Sequence, residues 1–137
     1  MADQIQFELV SPEQLLASRP VEMVVVPGVE GDFGVLPGHA PLVSAVRPGV
    51  IAVFENGQVV ERIFVVGGFA EVIPERCTVL AEQAMPLDRI DRTLAESELK
   101  DGRDDLADAK TDAERMAAES RMAVAEAKLA ALAGTAY

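Results

Sequence analysis

All eight prolines of this 137-residue chain lie at or before Pro86. Proline fixes φ and removes a backbone donor, so it punctuates strands and turns and interrupts helices. The region up to Met85 is therefore broken at short intervals. The region from Leu87 onward is free to form uninterrupted helices, and alanine dominates it. Two halves with different hydrophobic periods are the expected consequence.

The first half reads as strands. Ile5-Gln6-Phe7-Glu8-Leu9 alternates apolar and polar residues, the pattern of a half-buried strand. Residues 21–26, 49–54, 59–66 and 77–80 continue in short β-branched runs. Asn56-Gly57 stands between two of them and suits a two-residue hairpin with positive φ at both positions. Residues 26–41 hold four glycines and three prolines between short apolar runs, which predicts a succession of tight turns. Ser11-Pro12-Glu13 reads as a turn after the first strand. Gly67-Gly68 allows a bulge or a close backbone approach. Many short strands with frequent turns predict an antiparallel sandwich or a flattened barrel.

The second half has helical spacing. An earlier helix is expected from near Leu87, ending either near Lys100 or near Asp108 depending on how Gly102 is accommodated. Thr111-Asp112-Ala113-Glu114 matches a capping box. The helix it opens is expected to run to about Leu132, with Gly134 as its stop. Ala118, Met122, Ala125, Leu129 and Leu132 follow the 4,3 spacing of a packing seam, flanked by Glu119 and Glu126 on one side and Arg121 and Lys128 on the other. Met116, Ala123, Val124, Ala127 and Ala131 form a second uncharged face. That face implies a further partner or an alternative packing; the plain alternative is that alanine is simply a good helix former. The residues predict a β domain over 1–85 and a two-helix segment over 86–137.

Composition excludes several function classes. The net charge of −11 argues against nucleic acid, whose phosphates need clustered Lys and Arg. Lysine first occurs at Lys100, so the β half holds neither a phosphate loop ending in Lys nor a Schiff-base lysine. No stretch approaches the ~20 apolar residues that span a bilayer. The first residues lack a basic segment followed by an apolar run, which predicts no secretory signal and a cytosolic protein able to dock on a membrane complex. His39 is the single histidine, so no His-based metal cluster or catalytic triad is expected. Glu30 and Asp32 lack further carboxylates at calcium-loop spacing. Cys77 lies in an alternating strand and reads as a small core residue. Asp101, Asp104, Asp105 and Asp108 read as a solvated face, with a charge-switch segment as the alternative. No catalytic or metal site is expected.

Phe7-Glu8-Leu9-Val10-Ser11-Pro12-Glu13, residues 27–41, Val66-Gly67-Gly68-Phe69-Ala70-Glu71-Val72 and Val79-Leu80-Ala81-Glu82, in this order and followed by the switch at Leu87, resemble the epsilon-subunit family of bacterial F-type proton-translocating ATP synthases. The likeness covers nearly the whole chain. It implies a β-sandwich of about ten strands followed by a helix-turn-helix. It also implies a non-catalytic rotor subunit of the central stalk, coupling the gamma subunit to the membrane ring of c subunits. On that likeness Glu30, Gly31 and Asp32 face the ring's polar loops, and His39 lies near the same interface. The helices are implied to reach the catalytic alpha/beta head and restrain ATP hydrolysis. The complex would place the protein peripherally at the cytoplasmic face of the inner membrane, without direct insertion.

Many members of that family carry Ile/Leu-Asp-x-x-Arg-Ala as a nucleotide signature where the first helix begins. Here Leu87-Asp88-Arg89-Ile90-Asp91-Arg92 stands there, with Asp91 in the arginine position and Arg92 in the alanine position. A carboxylate repels phosphate, so no cofactor is expected and ATP binding is expected to be weak or absent. A nucleotide-sensing module independent of any rotor is the competing function class; tight ATP binding would favour it.

Overall fold

The structure, a computed structural model, describes residues 3–134. It divides into two compact units between Pro86 and Leu87. The first contains β1 (Ile5–Val10), β2 (Leu15–Val21), β3 (Met23–Gly28), β4 (Gly31–Val35), β5 (Leu42–Ala45), β6 (Gly49–Glu55), β7 (Gln58–Ile73) and β8 (Arg76–Pro86). Hydrogen bonding orders them β2-β1-β8-β7-β6-β3-β4, with β5 also paired to β7.

The long strands β7 and β8 make this a sandwich. The first part of β7 pairs with β6, from Glu55↔Gln58 to Gly49↔Val65, while its last part pairs with β5, from Ala45↔Phe69 to Leu42↔Val72. β8 pairs with β7 from Ile73↔Arg76 to Ile63↔Pro86, and its first part also carries β1. Each long strand thus serves both layers. Counting their halves separately turns eight continuous strands into the ten segments expected. One pairing departs from the antiparallel pattern: β1 and β8 run parallel. They are joined through the whole intervening sandwich, and only a long connection of that kind permits parallel neighbours.

Alternation along each strand builds the core. Ile5, Phe7 and Leu9 of β1, Cys77 and Val79 of β8, and Ala70 and Val72 of β7 share one buried cluster with Val24, Val26, Val35, Ile51, Val53, Ile63 and Val65. Burying each large aliphatic or aromatic side chain contributes roughly 1.5–3 kcal/mol. Asn56 and Gly57 adopt φ of 53° and 75°, the positive values a two-residue hairpin needs.

Three strands escape the simple pattern. β2 contains Pro20, which is tolerated because β2 is an edge strand. The segment expected to be all turns contains β4, whose Phe33 and Val35 pair with Val26 and Val24. The four-residue β5 is too short to show a period.

The second unit begins with a single 3₁₀ turn at Leu87–Arg89, and the first α-helix, α1, spans Arg92–Asp108. It starts later than Leu87 because Asp91 is its N-cap, accepting from the Leu94 N–H at 3.1 Å. Gly102 does not end α1. A Cβ there would lie 2.6 Å from Met122 Cγ, so this glycine lets the two helices approach closely. The helix therefore runs to Asp108. α2 (Asp112–Ala133) is capped by Thr111, whose hydroxyl oxygen accepts from the Glu114 N–H at 3.1 Å, and it stops at Gly134.

Candidate functional site

The β3–β4 hairpin ends in an exposed acidic tip. Gly28 pairs with Gly31, and Glu30 projects from the turn without an ion pair or hydrogen bond among the described residues. Asp32 differs: its Oδ1 accepts from Arg47 Nη2 at 2.5 Å. The other arm of the Arg47 guanidinium donates to the Gly28 carbonyl at 2.5 Å. Arg47 lies in the link between β5 and β6, and its own N–H donates to the Pro27 carbonyl at 2.9 Å. Sequence reasoning did not single it out, since an arginine before Pro-Gly carries no local signal of a contact fifteen residues away.

His39 is not at that tip. It closes a turn in which its N–H donates to the Leu36 carbonyl at 3.1 Å, while Gly38 N–H donates to the Pro74 carbonyl at 2.8 Å. Its Nδ1 lies 2.6 Å from the Ala40 carbonyl oxygen. β4 separates the two places: at ~3.3 Å per residue, the turn at Leu36 starts about 13 Å from Asp32. The resemblance implied that His39 lies near the interface of Glu30, Gly31 and Asp32. The fold puts His39 beyond the opposite end of a strand.

A second surface arises only from register. Leu15 pairs with Val10, Val10 with Leu80, Leu80 with Phe69, and Phe69 with Ala45. Residues opposite one another share a sheet face, so these five make an apolar row across β2, β1, β8, β7 and β5. Leu15, Leu80 and Phe69 are more than half exposed, at 59%, 52% and 58%, and Val43, on the same face of β5, reaches 69%. Scattered exposed apolar residues need no explanation, but a contiguous row does. Val10, Phe69 and Leu80 also border an open depression of about 470 Å³ with Ser11 and Pro12. The sequence signal was available: Leu80 stands between Thr78 and Glu82, and Phe69 before Glu71, each apolar in an otherwise polar alternation.

In the helical unit the residues of the nucleotide signature are dispersed. Leu87 and Asp88 belong to the 3₁₀ turn, Asp91 is occupied as the cap of α1, and Arg92 begins it. A placement of the signature three residues on, from Ile90 to Ala95, sets its aspartate at the N-cap and its alanine in a buried position. Exposed Leu94 then stands in the arginine place. Neither register supplies a cation there.

Along α2, Ala118 and Ala125 are buried and Met122, Leu129 and Leu132 half-buried. On the other uncharged face Met116 and Ala123 are exposed, Val124 and Ala127 half-buried, and Ala131 buried. Lys128 Nζ lies 3.8 Å from Glu98 Oε2, and Arg121 pairs with Asp105, so ion pairs link the two helices. Among the described residues no His, Cys, Asp and Glu group could hold a metal, and no helix is long and apolar enough to cross a membrane.

Residues 4–87 match the family described as ATP synthase, delta/epsilon chain, beta-sandwich domain, and residues 91–137 match the C-terminal domain of the ATP synthase epsilon chain. The protein is 56% identical over 134 residues to the ATP synthase epsilon chain of Rhodospirillum centenum, with 94% of its own length and 92% of that relative covered. It is 54% identical to that of Rhodospirillum rubrum, with 98% of its own length and all 100% of the relative covered. Among solved structures, a subunit in the cryo-EM structure of the Euglena gracilis mitochondrial ATP synthase, OSCP/F1/c-ring, superposes with a TM-score of 0.83 at 28% identity, over 94% of this protein and 81% of that subunit. A subunit of the Tetrahymena thermophila mitochondrial ATP synthase central stalk and c-ring has a TM-score of 0.65 at 18% identity over 97% and 98% of the two, a likeness of fold.

Proposed function

The chain belongs to the ATP synthase epsilon family, and from that premise we propose that it is a non-catalytic rotor element with two docking surfaces. The apolar row through Leu80 and Phe69 takes the gamma subunit. The acidic tip at Glu30 takes polar loops of the c ring. The observation that carries this reading is the coexistence on one sandwich of an exposed apolar row and a braced acidic tip. An element that transmits torque between two partners needs both to be rigidly connected. The Euglena likeness supports the ring contact, because that subunit belongs to a complex containing a c-ring. Such docking makes the attachment to the membrane peripheral, and the likeness to bacterial ATP synthase epsilon chains supports the cytoplasmic face.

The helices supply a restraint on ATP hydrolysis by reaching the alpha/beta head. Small residues at their crossing support this reading. Ala95, Gly102, Ala118 and Ala125 are buried, yet alanine and glycine remove little apolar area from water. A hairpin held this way separates at low cost, and the uncharged face with Met116 and Ala123 is available for a new partner.

Depletion of the native subunit followed by reconstitution tests both parts. Phe69→Asp with Leu80→Asp should leave circular dichroism unchanged and abolish assembly and proton-coupled ATP synthesis. Wild-type assembly by the double variant would refute the apolar row as the gamma surface. A truncated form ending at Pro86 should restore synthesis while raising hydrolysis; unchanged hydrolysis with and without a proton gradient would refute the restraint.

A further inference from the structure

We infer that Arg47 is a positioning residue that fixes the acidic tip before a partner arrives and leaves Glu30 as its free charge. The inference rests on the reading above that the tip meets the ring. Its basis is the geometry around one guanidinium. Nη1 donates to the Gly28 carbonyl on β3, and Nη2 donates to Asp32 on β4, each at 2.5 Å. One planar group therefore ties together both strands beside the turn of the hairpin.

The backbone repeats the attachment. Arg47 N–H donates to the Pro27 carbonyl at 2.9 Å, and Val29 N–H donates to the Ala45 carbonyl at 3.0 Å. Gly28 and Val46 form an isolated bridge between the same two segments. Glycine at position 49 lets the segments run so near each other, since a Cβ there would lie 2.9 Å from Pro27 Cβ; within the hairpin itself, one on Gly28 would lie 2.8 Å from the Gly31 carbonyl oxygen. A hairpin end would ordinarily be among the least ordered parts of a sandwich. This one is held from the side.

The charge pattern gives the tie a consequence for recognition. Asp32 is committed to Arg47, whereas Glu30 has no partner among the described residues. A cationic or hydrogen-donating loop approaching the tip thus meets Glu30 first, on a backbone already in place. A preformed surface loses less freedom on association than a mobile one, so affinity rises without any new contact. Arginine is needed because a rigid fork can reach a carbonyl and a carboxylate together. Lysine offers a single charged point and satisfies one of them well.

The experiment uses the full-length protein in two measurements. Amide hydrogen exchange is read at Val29 and Gly31, and docking is read against the solubilised gamma–c-ring rotor stripped of this subunit. Arg47→Gln should speed exchange at the tip about tenfold and weaken docking about tenfold, the range for losing hydrogen bonds to a charged group. Exchange along β7 and β8 should stay unchanged, which separates local release from general unfolding. Arg47→Lys should recover part of both effects. Glu30→Gln should weaken docking with exchange at wild-type rates.

Wild-type exchange at the tip in Arg47→Gln would overturn the assignment. So would docking that is lost in Glu30→Gln and retained in Arg47→Gln. Docking retained in both variants, with fast exchange in Arg47→Gln, would instead overturn the placement of the tip on the ring.

Discussion

Replacing Gly68 with alanine should destabilise the sandwich severely, and the structure allows the cost to be worked out. Gly68 has φ of 114°, a value that L side chains rarely adopt. Holding a non-glycine residue in such a region costs about 1–3 kcal/mol. A Cβ there would also lie 1.9 Å from the Leu80 carbonyl oxygen, 2.9 Å from its carbon and 3.0 Å from Ala81 Cα. These are backbone atoms, so no rotamer change relieves the clash and β7 must move from β8. Moving it strains the bond in which Val46 N–H donates to the Gly68 carbonyl at 2.9 Å, worth about 0.5–1.5 kcal/mol. With the neighbouring ladder bonds the total is roughly 3–5 kcal/mol. Native domains of this size hold about 4–13 kcal/mol in all. Gly57→Ala is the control: φ there is 75°, but nothing lies within 4 Å of the added Cβ. It should cost about 1–2 kcal/mol. The protein has no tryptophan, so urea unfolding followed by far-ultraviolet circular dichroism is the appropriate assay. Equal midpoints for the two variants would refute the claim that contact with the β8 backbone, rather than positive φ alone, demands glycine at position 68.

Burial raises the Cys77 thiol from 9.0 to about 12. The unfolded chain releases that proton first, so stability is full below pH 9.0 and falls as pH rises toward about 12. The slope should approach ~1.4 kcal/mol per pH unit, and Cys77→Ala should remove that component in alkaline urea titrations. A truncated form ending at Pro86 should unfold cooperatively with a sandwich spectrum, because the buried cluster around Phe7, Val53 and Val72 draws all its members from the first unit; a disordered spectrum would contradict this. ATP should bind the isolated protein weakly or not at all, since a missing cationic contact costs about tenfold to a hundredfold. Micromolar affinity by calorimetry would show that Arg89 or Arg92 supplies the charge.

Local chemistry made much of this protein legible in its sequence. The last proline marks where strands give way to helices, because proline's constraint acts within its own residue and its neighbours. Asn56-Gly57, the Thr111 cap and the Gly134 stop were likewise readable, each depending on a few adjacent backbone groups. Alternation marked the Phe7 strand as half-buried and Cys77 as core because period two is a property of a strand by itself. The exposed apolar row was different. Leu15, Val10, Leu80, Phe69 and Ala45 lie on separate strands, and only ladder register sets them side by side. The Arg47 fork and the Gly68 contact with Leu80 also depend on which strands become neighbours. Gly102 shows the same limit in the helices: the sequence left the end of the first helix open between Lys100 and Asp108, and packing against Met122 decided it. Distance along the sequence decides caps, turns and periods. The separation of His39 from the acidic tip, and the union of five strands in one apolar face, were decided by pairing between residues that the sequence keeps far apart.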